Sequence, residues 1–109
     1  MYVKGYINWL VFMVTVTIEY LLKFREITGK EKEKITVDDD KPTVEKILRY
    51  LKSKYGAEFK QEFTNPSGDE IAGKPLILLN GLTLRIPEDL TRSLSNGDII
   101  TITYAVFGG

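Results

Sequence analysis

The chain has 109 residues, with 15 Lys plus Arg against 15 Asp plus Glu, and contains neither cysteine nor histidine. That length suits one domain with one modest core. The balanced charge argues against broad nucleic-acid binding, which needs surplus cations to neutralise phosphates. The missing residue types exclude disulfides, thiolate or imidazole metal sites, cysteine nucleophiles and a Ser-His couple. Lys, Tyr, Asp and Glu remain as potential acids and bases. No paired-carboxylate motif or phosphate-binding glycine loop accompanies them, so a self-contained enzyme is not the expectation.

The stretch from Tyr6 to Leu22 is apolar, but Asn8, Thr15, Thr17 and Glu19 interrupt it. It falls short of the ~20 apolar residues of a membrane span and lacks the basic start and small-residue cleavage site of a signal peptide. The expectation is therefore no membrane association and, by default, a cytoplasmic location. From Met13 onward, Val14, Val16, Ile18 and Tyr20 alternate with Thr15, Thr17 and Glu19, which predicts a strand with one buried face. The same parity runs backwards through Phe12, Leu10, Asn8 and Tyr6. Two readings of residues 1–12 stay open. They form an extension that packs on the body or pairs two copies as a homodimer, or they lie upstream of a functional start at Met13. The predicted domain is thus 13–109, with a tail at 105–109.

Leu21 to Thr28 reads as a compact connection with Leu22, Phe24 and Ile27 available to the core, followed by a turn at Gly29-Lys30. Glu31 to Val37 reads as a charged edge strand whose charges form a solvated face. Asp38-Asp39-Asp40 lacks the alternating ligands and glycine of a calcium loop, so it is read as a turn before a helix and no metal ligand is assigned. Thr43 is the predicted N-cap, and Val44, Ile47, Leu48, Leu51 and Tyr55 recur at helical spacing up to Gly56. Glu58 to Lys74 is the least regular part, with Phe59 and Phe63 tying it down. A strand is predicted at Pro75 to Leu79, a tight turn at Asn80-Gly81 and a short strand at Thr83 to Arg85. Glu88 to Leu94 reads as a helical turn presenting Leu90 and Leu94. The turn Ser95-Asn96-Gly97-Asp98 launches a last strand, which leads into Phe107-Gly108-Gly109.

This order resembles the ubiquitin-like β-grasp fold, an α+β arrangement in which a mixed sheet of about five strands packs on one main helix. Individual motifs narrow the resemblance. Tyr20-Leu21-Leu22-Lys23-Phe24-Arg25-Glu26 with its glycine turn at Gly29 is similar to the segment after the first strand of the small molybdopterin-synthase subunit, MoaD. The helix from Thr43 to Gly56, the strand and turn Ile77-Leu78-Leu79-Asn80-Gly81, and Leu94-Ser95-Asn96-Gly97-Asp98 resemble later motifs of that family. The resemblance covers Met13 to Gly109 and extends to the thiamine sulfur carrier ThiS, small archaeal modifiers and ubiquitin-related modifiers.

The resemblance implies a carrier protein with no catalytic residue of its own and no bound cofactor. Its partner would be an ATP-dependent activating enzyme of the MoeB or ThiF type, which uses ATP and magnesium to adenylate the carboxylate of Gly109. The adenylate becomes a thiocarboxylate for sulfur transfer, most directly in molybdopterin synthesis with a MoaE-like large subunit. Alternatively, it is passed to lysines of target proteins. Gly108 would give clearance to reach the partner's site. Phe107 stands where the family commonly carries Ser or Ala, and either fills a partner pocket or packs back on the body. A non-covalent interaction module is the remaining reading. The expected docking surface is the apolar sheet face near the last strand, with Phe107, Tyr104 and the apolar residues of Leu76 to Leu84 as candidates.

Overall fold

The computed structural model describes residues 13–39, 41–64 and 75–105. Residues 1–12 and the tail positions 106–109 lie outside the described residues. Five strands, β1 (Met13–Tyr20), β2 (Lys32–Asp38), β3 (Pro75–Leu79), β4 (Leu82–Thr83) and β5 (Ile99–Tyr104), form one sheet in the order β2-β1-β5-β3-β4. β1 and β5 run parallel at its centre, and the other neighbours are antiparallel. Three helices, α1 (Lys23–Thr28), α2 (Val44–Tyr55) and α3 (Ala57–Thr64), and a 3₁₀ turn at Glu88–Thr91 complete the described chain. This is the expected mixed five-stranded α+β architecture.

The alternation along β1 directs Val16, Ile18 and Tyr20 inward, and all three are fully buried. Ile35 of β2, Ile77 of β3 and Ile100, Ile102 and Tyr104 of β5 join them on the same face of the sheet. α2 lies against this face through Val44, Ile47, Leu48 and Leu51. Burying each large apolar side chain contributes roughly 1.5–3 kcal/mol, an upper-end figure. Thr43 caps α2 as its pattern predicts: its hydroxyl accepts from the Lys46 backbone N–H at 3.2 Å. The helix ends at Gly56, with φ 79° and ψ −158°. That is a positive-φ, extended conformation, and it suits only glycine. It redirects the chain directly into α3.

Three expectations need correction. Leu21 to Thr28 is not a plain connection, because α1 occupies Lys23–Thr28. Phe24 of α1 is fully buried and Ile27 packs against the core, but Leu22 is 52% exposed. The first half of the supposedly irregular Glu58 to Lys74 stretch is the helix α3, while Asn65 onward lies outside the described residues. Phe59 and Phe63 do secure it, from successive turns of a helix. The short strand is Leu82–Thr83, starting one residue and ending two residues earlier than expected, and Leu84 turns into the core.

Candidate functional site

The last strand carries the chain toward its tail, so what fixes β5 fixes where the tail departs. At the start of β5, two turns that look independent in sequence are joined. The Asn80 side chain donates to the Asp98 carboxylate at 3.0 Å and accepts from the Ile99 N–H at 2.8 Å. The other Asp98 carboxylate oxygen accepts from the Ser95 N–H at 2.7 Å. The Asn96 side chain accepts from the Thr15 N–H, and Gly97 N–H donates to the Thr15 carbonyl, both at 2.8 Å. These contacts hold β5 in register between β1 and β3, with Ile102 aligned to both Tyr20 and Ile77.

The far end of β5 is the root of the tail. Tyr104, its last residue, stacks on Phe24 of α1 with ring centroids 5.0 Å apart and planes inclined by 20°. Its hydroxyl donates to the Glu62 carboxylate of α3. Glu62 is itself buried, and its other oxygen pairs with the Lys23 ammonium at 3.0 Å. A buried carboxylate costs stability unless partnered, and here both oxygens have partners. Phe24 also meets Phe59 and Phe63, each at 5.4 Å. The root is therefore held from two helices at once. One residue past β1, the Leu21 N–H donates to the Ile102 carbonyl at 3.0 Å.

Leu22 follows in an unusual conformation, with φ 55° and ψ −130°. The Phe24 N–H donates to the Leu21 carbonyl at 3.2 Å. Together these describe a type II′ turn with Leu22 at the position normally given to glycine, near about (60°, −120°).

A second polar cluster joins the outer strand β2 to the helix layer. Glu33 accepts from the Tyr20 hydroxyl at 2.5 Å, from the Tyr55 hydroxyl, from Lys54 at 2.6 Å and from Lys30 at 3.3 Å. Burial alone would raise its carboxyl, but the hydrogen bonds from Lys54, Tyr20, Tyr55 and Lys30 outweigh burial and hold it at about 2. The same cluster pushes the Tyr20 phenol up, chiefly through burial and then through Glu33, and the hydrogen bond to Glu33 raises the Lys54 ammonium. With its oxygens occupied by four donors, Glu33 works as a lock between elements and not as a base.

The proposed reactive and positioning residues Gly109, Gly108 and Phe107 lie outside the described residues. Of the expected docking residues, Tyr104, Ile77 and Leu84 are core, because their parity turns them toward the helices. Leu76, Leu78 and Leu79 are half-buried, and Leu82 is exposed. Ile99, on the open face of the sheet, and Leu21 and Leu22 near the root add apolar surface that the expected set omitted. Among the described residues no group of His, Cys, Asp or Glu is placed to hold a metal ion. No helix among them is long and apolar enough to cross a membrane.

The ThiS family model matches residues 18–109, from within β1 to the last glycine. The chain belongs to the ThiS family. This family comprises small ubiquitin-fold sulfur carriers and modifiers. Among solved structures, the solution structure of small archaeal modifier protein 1 from Methanosarcina acetivorans is 28% identical with a TM-score of 0.65, covering 89% of this chain and 98% of the other. A putative molybdopterin converting factor subunit 1 from Pyrococcus furiosus is 21% identical with a TM-score of 0.64, covering 85% and 99%. The CysO protein of Mycobacterium tuberculosis is 24% identical with a TM-score of 0.60, covering 84% and 99%. These last two likenesses show the shared fold alone. A comparison with curated proteins gave no match.

Glu62 and Glu33 were not singled out from sequence, and Leu22 was read only as a residue available to the core. Two carried a readable signal: Glu62 sits three residues after Phe59 on the inward stripe of a helix, and Glu33 shares the parity of Ile35 and Val37. Nothing in the local sequence marked Leu22, since leucine at that turn position contradicts the usual glycine rule.

Proposed function

We propose that this ThiS-family chain is a sulfur carrier activated at the carboxylate of Gly109. The observation that carries the proposal is the family match, which spans residues 18–109 and so reaches Gly109. The anchored root at Tyr104 supports it, since it gives the tail a fixed point of departure. A carboxylate oxygen of Gly109 attacks the α-phosphate of ATP and pyrophosphate leaves. A hydrosulfide-level sulfur delivered by the partner then attacks the acyl carbonyl, AMP leaves, and a thiocarboxylate remains. The chain supplies only the carboxylate, which suits a sequence with no Cys and no His. ATP, magnesium and the acid-base groups belong to an activating enzyme of the MoeB or ThiF type. Gly108 gives clearance and Phe107 meets the partner beside it. We place the work in the cytoplasm, with the molybdopterin precursor as sulfur acceptor and a MoaE-like subunit as second partner. The MoaD-like run around Phe24-Arg25-Glu26 favours that route.

The 28% identity to a small archaeal modifier protein favours a second reading, transfer of the Gly109 acyl group to protein lysines. Mass spectrometry of the protein from its native cells separates the two. A sulfur-for-oxygen shift at Gly109 is expected for the carrier, and branched lysines ending in Gly108-Gly109 for the modifier. Deleting Gly108-Gly109 should abolish adenylation by the cognate enzyme while leaving the circular dichroism unchanged. Undiminished adenylation of that shortened chain would overturn both readings and leave a non-covalent interaction module.

A further inference from the structure

We infer that Leu22 is a docking knob that seats in an apolar pocket of the activating enzyme, beside the channel that receives the tail. This deepens the proposed function and rests on the activation of Gly109.

Three independent observations meet at this residue. The first is conformational. Leu22 occupies the glycine position of a type II′ turn, at φ 55° and ψ −130°, where a Cβ is unfavourable. The second is exposure: Leu22 is 52% exposed, so only partial burial in the fold offsets the strain. Glycine would satisfy the turn without strain, and the partial cover of Leu22 is a small return for it. Strain held at an exposed apolar side chain points to a use outside the fold.

The third observation is position. The chain on one side of Leu22 is tied to β5 by the Leu21 N–H on the Ile102 carbonyl. On the other side, Phe24 stacks on Tyr104. Leu22 is thus bracketed by two contacts to the root of the tail. Four residues separate Ala105 from Gly109, and at full extension they reach about 14 Å. An enzyme that encloses the Gly109 carbonyl must therefore lie against the root, within reach of Leu22. Leu21, 38% exposed, continues the apolar surface toward the sheet. The occupant is the activating enzyme because a short tether forces that partner, and not an arbitrary one, onto this surface.

The test is ATP–pyrophosphate exchange by the activating enzyme purified from the native cells, with the full chain as substrate. Leu22→Gly should raise KM for the carrier about tenfold, leave kcat within about twofold of wild type, and leave the thermal midpoint equal or higher. Leu22→Met, which keeps an apolar side chain, should restore most of the lost affinity. An unchanged KM for Leu22→Gly overturns the inference, and so does a lowered thermal midpoint, since the side chain would then serve the fold. If deletion of Gly108-Gly109 stops exchange while Leu22→Gly behaves as wild type, this inference alone falls. If the wild-type chain supports no exchange, the proposed function falls and the inference with it.

Discussion

Glu33 is the clearest case of one residue joining several elements. Its side chain is only 9% exposed, although its neighbours Lys32 and Lys34 are exposed on the sheet edge. Hydrogen bonds that involve a charged group contribute about 1.5–3 kcal/mol each when net and well placed. Glu33→Gln, which keeps the shape and removes the charge, should cost about 2 kcal/mol near neutral pH by urea unfolding. The carboxyl is depressed from 4.5 to about 2 in the folded chain, so the unfolded chain binds this proton more readily. Its stabilisation is therefore whole above about pH 4.5 and disappears as pH falls toward about 2. The stability gap between wild type and Glu33→Gln should close across that window, and a gap that persisted at pH 2 would contradict the assignment. Leu22 works in the opposite direction. Its backbone conformation carries a cost of order 1–3 kcal/mol that the fold does not use.

At the level of elements, α2 was the most readable part of the chain. Five apolar positions at helical spacing behind a Thr43 cap are a redundant signal, and the structure places that helix at Val44–Tyr55. Thr43→Ala removes the hydroxyl that accepts from Lys46 and should cost about 1 kcal/mol, read as a lowered urea midpoint with an unchanged slope. α3 was not readable for a physical reason. Only Phe59 and Phe63 mark its inward face, and Glu62 stands where an apolar residue would have completed the stripe. That glutamate is tolerated inside because Tyr104 and Lys23 reach it from β5 and α1. α1 was missed because an isolated helix of six residues is below the length at which local propensity decides anything. The contacts of Phe24 with Phe59, Phe63 and Tyr104 support it instead.

For the molecule as a whole, one core runs from Val16 to Tyr104 and draws on all three helices and four of the five strands. A chain shortened to residues 13–109 should therefore fold alone, with far- and near-ultraviolet circular dichroism melting together. It should also remain a substrate for adenylation, and separated melting curves or lost activation would assign residues 1–12 to the working domain. The alternating β1, the capped α2, the Asn80-Gly81 turn and the last strand were legible in the residues alone. Each depends on the chemistry of near neighbours: side-chain parity, helical spacing, or a turn that needs positive φ. Folding alone brings Asn80 and Asp98 together at the start of β5, puts Tyr104 in the core and sets Glu62 against the root of the tail. Those outcomes depend on partners 18 and 42 residues apart, and long-range pairing leaves no period in the local sequence.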